Sequence, residues 1–122
     1  MKAQITSHVI VDATETTTSA PFSLENAEKV SFVFQRSDHS SGSSAFKLQI
    51  SVDGTNWIDY AELIPNINNS PVEQLSRVTT VTISDDNTAA ASKSMADTYP
   101  LGRIVVTETT DGTHNAWVII QY

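Results

Sequence analysis

Hydrophobic and polar residues alternate in several stretches of this chain, most clearly from Phe46 to Tyr60, FKLQISVDGTNWIDY. Phe46, Leu48, Ile50 and Val52 alternate with Lys47, Gln49 and Ser51, the period-two pattern of a strand with one wet face. Asp53-Gly54 supplies a turn, because Gly accepts the positive φ of a tight loop and Asp hydrogen-bonds the backbone that follows it. Trp57, Ile58 and Tyr60 then open a returning strand. A four-residue loop over Asp53–Asn56 sets Trp57 opposite Val52 on the core face but also turns Asp59 inward. A three-residue loop sets Ile58 opposite Ile50 and Tyr60 opposite Leu48, and sends Trp57 to the other face. An unpaired buried Asp59 costs several kcal/mol, and a bulge after Trp57 reconciles both demands. The expectation is a buried Trp57 whose truncation to Ala costs ~3–5 kcal/mol.

The same periodicity marks the other strands. Gln4–Val11 predicts one with Ile5, Val9 and Val11 on one face and His8 on the other. The Thr-rich run Asp12–Ser19 reads as a second, exposed strand before Pro21. Phe22 and Leu24 alternate, and Glu25–Glu28 is a turn. Lys29–Arg36 is a strand with Val30, Phe32 and Phe34 inward, and Val33 outward enough that both faces can be covered. Asp38–Ser44 is a flexible loop by composition, as is Ile64–Pro71. Val72–Ser84 ends in a strand carrying Val81 and Ile83 on one face and Val78 on the other. Asp85–Ala96 predicts one helical turn over Ala89–Met95, capped by Asp86 or Asn87. Leu101–Thr109 and Ala116–Tyr122 complete the set as a second hairpin joined through Thr110-Asp111-Gly112-Thr113 and central to a sheet. These elements predict an all-β, antiparallel sandwich of about seven or eight strands, jelly-roll or immunoglobulin-like, with at most one short helix, over residues 1–122 as a single domain.

Composition narrows the function. At 122 residues the chain can bury about two-thirds of its unfolded surface around one core. It carries 7 Lys and Arg against 14 Asp and Glu, a net charge of −7. Phosphate binding draws on counterion release at cationic patches, so nucleic acid is disfavoured as a partner. The absence of cysteine removes disulfides, thiolate catalysis and zinc–thiolate sites. No apolar run reaches the ~20 residues of a membrane span, so no membrane partner is expected, and the amino terminus lacks a signal-peptide core. The expectation is a product that begins near Met1, is made in the cytoplasm and is not exported by that route.

Candidate chemistry is sparse. His8, His39 and His114 fall on a strand, in a loop and beside a turn, without metal-ligand spacing, and read as unrelated surface or interface positions. Asp85-Asp86-Asn87 offers oxygen ligands without the spaced acidic loop of a calcium site, and reads as a cap or solvated turn. Asp59 and Glu62 can be read as a glycosidase pair, but acidic residues at random strand positions give such pairs in most β-proteins. There is no G-x-S-x-G elbow and no phosphate loop. Asn68-Asn69-Ser70 fits a glycosylation pattern that has little weight without export. Trp57 and Trp117 sit where core residues are expected rather than where a ring would stack on sugar. No catalytic, metal or cofactor residue is assigned, and the chain is expected not to be an enzyme.

One resemblance adds a setting. Leu48–Trp57, LQISVDGTNW, resembles the S-x-D-G-T-x-W hairpin of small β-sandwich proteins of tailed-bacteriophage virions, with Asp53, Gly54, Asn56 and Trp57 as its structural turn. Tyr99–Tyr122, YPLGRIVVTETTDGTHNAWVIIQY, is similar to their closing strands, Arg103 included, and the two pieces cover roughly a third of the chain. The hairpin also occurs in discoidin-like and other carbohydrate-binding sandwiches. The resemblance implies a non-enzymatic capsid decoration or auxiliary protein, located in the virion, with no cofactor, that binds the major capsid lattice or other virion proteins as a homo-oligomer. A carbohydrate-binding module of a tail or host-recognition device is the alternative.

Overall fold

The computed structural model describes residues 3–66, 77–95 and 97–122, and every regular element among them is a β-strand. In chain order these are β1 (Gln4–Ala13), β2 (Thr17–Thr18), β3 (Phe22–Ser23), β4 (Lys29–Ser37), β5 (Ser44–Ser51), β6 (Ile58–Asp59), β7 (Ile64–Asn66), β8 (Thr80–Ile83), β9 (Asn87–Ser92), β10 (Leu101–Glu108) and β11 (Thr113–Gln121). They form two antiparallel sheets packed as a sandwich. The first runs β1–β11–β4–β9–β7. The second has β10 and β5 at its centre, with β2 and β3 sharing the free side of β10 and β6 and β8 sharing that of β5. The all-β sandwich is as the alternation predicts. The strand number is larger, eleven among the described residues, because both edges of the second sheet are broken into pieces of two to four residues.

The core lies where the strongest alternation falls. Val30, Phe32 and Phe34 of β4 face Phe46, Leu48 and Ile50 of β5, and Ile104, Val106, Val118 and Ile120 close around them, all at most 6% exposed. Phe34 stacks on Phe46 across the two sheets at 4.8 Å between ring centroids, which ties the layers together.

Five departures from the sequence reading have physical causes. The Ala-rich run predicted as a helical turn is β9. Ala91 and Ala89 pair with Phe32 and Phe34, where small side chains leave room for the rings, so packing overrides helix propensity. Asp86 and Asn87 cap nothing; Asp86 accepts from His39, and Asn87 bonds the next amide. Ile64–Asn66, read as loop, is a strand on the edge of β9, while the rest of the Ile64–Pro71 reading, including Asn68-Asn69-Ser70, and Val72–Leu75 lie outside the described residues.

In β1, register shifts after His8 and after Ile10 rotate the strand, and Asp12 adopts a positive φ of 48°. Ile10 therefore faces the core at 2% exposure, whereas Ile5 and Val11 are 52% and 60% exposed. The hairpin takes the three-residue register, with Ile58 opposite Ile50 and the Tyr60 amide bonded to the Leu48 carbonyl. Trp57 is consequently half-buried on the outer face and not in the core, and Val52 is 80% exposed. Finally, β10 and β11 are not a hairpin. They belong to opposite sheets, so the Asp111-Gly112 turn carries the chain over the end of the sandwich.

That crossing is held by Arg36, whose side chain continues the inward row of β4 and is 1% exposed. Its Nη1 donates to the Gly42 carbonyl at 3.0 Å and lies 3.4 Å from that of Ile83. Its Nη2 donates to the carbonyls of Ser41 at 2.8 Å and Asp111 at 2.7 Å. Gly112 has φ +129°, and a Cβ there would stand 3.0 Å from Arg36 Nε, so both its conformation and the close approach require glycine.

Candidate docking face

The motif that carries the resemblance is explained by its own turn. Ser51 Oγ accepts from the Gly54 amide at 2.9 Å, and Asp53 Oδ1 accepts from the amides of Thr55 and Asn56 at 2.9 Å each. Asn56 Nδ2 donates to Asp53 Oδ2 at 2.8 Å, and Gly54 takes a φ of 79°. The Asn56 and Thr55 amides hold the Asp53 carboxyl well below the usual carboxylate range. Trp57 then lies under the Arg103 guanidinium, 4.2 Å from its ring centre, and Arg103 is steered by Gln49 at 2.8 Å. Ser51, Asp53, Gly54 and Asn56 each have a local task in folding the loop.

The groups with chemical potential are engaged with one another. Asp59 takes hydrogen bonds from Gln49 and Lys47, which lower its pKa, and Glu62 pairs with Arg77 at 3.3 Å, so each carboxylate of the pair is engaged by a different cation. His114, read as a surface position, is fully buried. Its Nδ1–H donates to the Ala13 carbonyl, and its Nε2 stands 2.7 Å from Ser44 Oγ. This Ser–His contact spans 70 residues of sequence and was invisible to motif reading; both members are sealed from solvent, leaving no room for a substrate. His8 and His39 lie apart from it, on β1 and beside Asp86. Among the described residues no three of His, Asp and Glu converge as metal ligands.

A cleft of about 450 Å³ opens between the turn at Leu24–Glu28 and the connection from β9 to β10. Beneath it Lys93 donates to the carbonyls of Ser94 and Asp97 and to the Asp97 carboxylate, and sits 5.5–5.6 Å from the rings of Tyr60 and Tyr99. The Tyr60 hydroxyl donates to Asp97 at 2.8 Å; burial first, and then this bond, push its pKa further above the ordinary phenol value. The Lys–Tyr–Asp group is satisfied internally and has no base or nucleophile to spare.

The outer face of the first sheet is different. Register places His8, Trp117, Val33 and Ala90 in one row across four strands, and Thr6, Ile119, Ser31 and Ser92 in the next. Trp117, expected in the core, lies on this outer face with His8, its pair partner on β1, stacked against it at 4.4 Å and 11°. His8 Nε2–H donates to Asn115 Oδ1 at 2.8 Å. Asn115 also bonds Asp12 and Gln35, so it ties the bulged end of β1 to the sheet. In a chain of net charge −7, Asp12 is the sole carboxylate in the five strands of this sheet. An ordered outer surface whose one strand carboxylate, Asp12, stands at the bulged end of β1 and is bonded to Asn115 is what a partner can cover at little desolvation cost. Val33 as an outward hydrophobe was legible in the sequence; the charge-free row was not, because its members come together only through register.

The end of the sandwich near Arg36 holds two of the carboxylates whose pKa is lowered. Asp111 accepts from the Ser40 hydroxyl and amide, and Asp86 from the His39 ring and amide; in each the side-chain bond is the larger cause of a lowered pKa. A carboxylate whose folded pKa lies below its unfolded value of ~3.9 contributes stability above that value and loses it as pH falls through the folded pKa. These carboxylates are expected to lower the melting temperature as pH falls below about 4. Asp111→Asn is expected to shrink the difference between pH 6 and pH 3, and thermal melts at both pH values measure it. An Asp111→Asn variant that loses as much on acidification as the parent would refute the assignment.

No protein-family model matches the chain, and no curated protein sequence matches it. Among solved structures, that of the Bacillus endospore appendages, described as a family of disulfide-linked pili, aligns over 100% of this chain and 89% of its own at 12% identity, with a TM-score of 0.48. The SPBc2 prophage-derived protein YomS aligns over 100% of this chain and 96% of its own at 11% identity, with a TM-score of 0.69. This chain therefore shares the overall β-sandwich fold of a prophage-derived protein.

Proposed function

We propose that this chain is a non-enzymatic structural protein of a bacteriophage particle, a capsid decoration or auxiliary protein that holds its place on the major capsid lattice by surface complementarity. The observation that carries the reading is the outer face of the first sheet, where register sets Trp117, Val33, Ala90 and Ile119 side by side and Asp12, at the end of β1, is the sole strand carboxylate on an otherwise acidic molecule. The likeness in fold to a prophage-derived protein and the S-x-D-G-T-x-W hairpin support the phage setting. The sugar-binding alternative is disfavoured because both tryptophans already have a ring face occupied from within the chain, Trp57 by Arg103 and Trp117 by His8.

Co-sedimentation with purified phage heads tests it. The parent protein is expected to pellet with heads, with or without a metal chelator. Val33→Glu places a carboxylate at the centre of the face and is expected to weaken pelleting at least about tenfold while leaving circular dichroism unchanged. Parent protein that stays in the supernatant, or a folded Val33→Glu variant that still pellets, overturns the reading.

A further inference from the structure

We infer that the amino-terminal half of β1 is a self-pairing edge through which two copies of this chain join their first sheets into one continuous sheet. The inference deepens the docking reading and rests on it only in taking the chain to act by assembly. The argument begins with how the other edges are treated. An open sheet edge invites another strand, and folded proteins blunt edges with short strands, proline, charge or bulges. Among the described residues, β7 is three residues long and contains Pro65; the edges of the second sheet are divided between β2 and β3 on one side and β6 and β8 on the other. The carboxyl-terminal half of β1 is twisted away by its two register shifts. Gln4–His8 alone stays in regular register, against Gln121–Trp117, and carries no proline, carboxylate, Lys or Arg.

The hydrogen-bond phase of this segment is fixed by the Tyr122 amide, which donates to the Ala3 carbonyl at 2.9 Å. In an antiparallel ladder bonded and non-bonded pairs alternate, so Ile5 and Ser7 bond to β11 while the N–H and C=O groups of Gln4, Thr6 and His8 point away from the sheet. A second β1 meeting it antiparallel about a two-fold at Thr6 pairs all three: Thr6 with its symmetry mate, and Gln4 with His8 each way. On the core side the same register brings Ile5, 52% exposed at the sheet margin, beside the neighbour's Ser7 and within reach of its Ile5.

Charge selects a second copy as the occupant. Two molecules of net charge −7 repel least where they meet through surfaces without carboxylates, and this edge meets that condition on both partners because they are the same. The two-fold is perpendicular to the sheet, so both outer faces, with Trp117 and Val33, lie on the same side. The pair would present one doubled docking surface.

The test uses the full chain, 13.3 kDa, in analytical ultracentrifugation over a concentration series. The parent is expected to reach twice the monomer mass. Thr6→Pro removes an amide that faces outward and is compatible with an edge strand, and Ile5→Lys adds an inward-facing charge; each is expected to weaken dimerisation at least about tenfold, since every change counts twice across the two-fold. Hydrogen exchange of the parent supplies a readout that needs no variant: at dimer concentrations the Gln4, Thr6 and His8 amides are protected, and dilution unprotects them while Ile5 and Ser7 stay protected. A parent that is monomeric throughout, exchange that stays fast at Gln4, Thr6 and His8, or dimers unaffected by folded Thr6→Pro and Ile5→Lys variants overturns the inference. Because the measurement is made on free protein, its failure leaves head binding to be judged separately.

Discussion

Arg36→Met is expected to lower stability by about 3–5 kcal/mol, although it removes a charge and adds an apolar side chain to a site that is 1% exposed. The guanidinium gathers carbonyls from three separate connections, Ser41 and Gly42 between β4 and β5, Ile83 at the end of β8, and Asp111 between β10 and β11. Its planar fork meets them in several directions at once, which no neutral side chain can do. Met fills the volume but leaves those acceptors to find water at the closed end of the sandwich. For a chain of this size the loss corresponds to a fall of roughly 10–20 °C in the melting midpoint. Arg36→Lys keeps the charge as a point donor and is expected to recover less than half of it. Thermal unfolding followed by circular dichroism measures both; an Arg36→Met variant within about 3 °C of the parent would show that the carbonyls are satisfied without the guanidinium.

The crossing that Arg36 holds also marks where the sequence stops being legible. Asp111-Gly112 announces a reversal of chain direction, and the reversal occurs. Whether the two strands pair or enter opposite sheets depends on contacts such as Arg36 to the Asp111 carbonyl, 75 residues apart, which local pattern does not contain. The strands β4, β5, β10 and β11 were readable because each sets large apolar side chains at every second position, Val30, Phe32 and Phe34, then Phe46, Leu48 and Ile50, Ile104 and Val106, and Val118 and Ile120. In β1 a register shift hidden within the run of apolar residues from Val9 to Val11 moved the core position to Ile10. The alanines of β9 have helical propensity, but their sizes answer Phe32 and Phe34 on the neighbouring strand.

The candidate face was legible to a similar depth. Val33 pointed outward in the alternation of β4. Trp117 did not, because a large aromatic is ordinarily core, and its cover by His8 comes from a strand more than a hundred residues away. That Asp12 is the sole carboxylate of these strands becomes a property of one face only once the five are laid side by side.

Phe46→Ala is expected to cost about 3–5 kcal/mol, the other large loss in the molecule. Phe46 is fully buried on β5, stacks on Phe34 of the opposite sheet at 4.8 Å and 16°, and meets the His114 ring at 6.0 Å and 60°. Both flanks of its strand are bonded, to β10 and to β8, so the backbone cannot close the void the ring leaves. Trp57→Ala removes a larger ring from a half-exposed position where one face touches Arg103, and is expected to cost only about 1–2 kcal/mol. Side-chain size and hydrophobicity order these two substitutions one way and burial orders them the other, so urea denaturation of both variants separates the explanations. Equal midpoints would place Trp57 within the core after all. A Phe46→Leu variant that recovers most of the loss would show that filled volume between the sheets, rather than the ring-on-ring geometry with Phe34, is what the site demands.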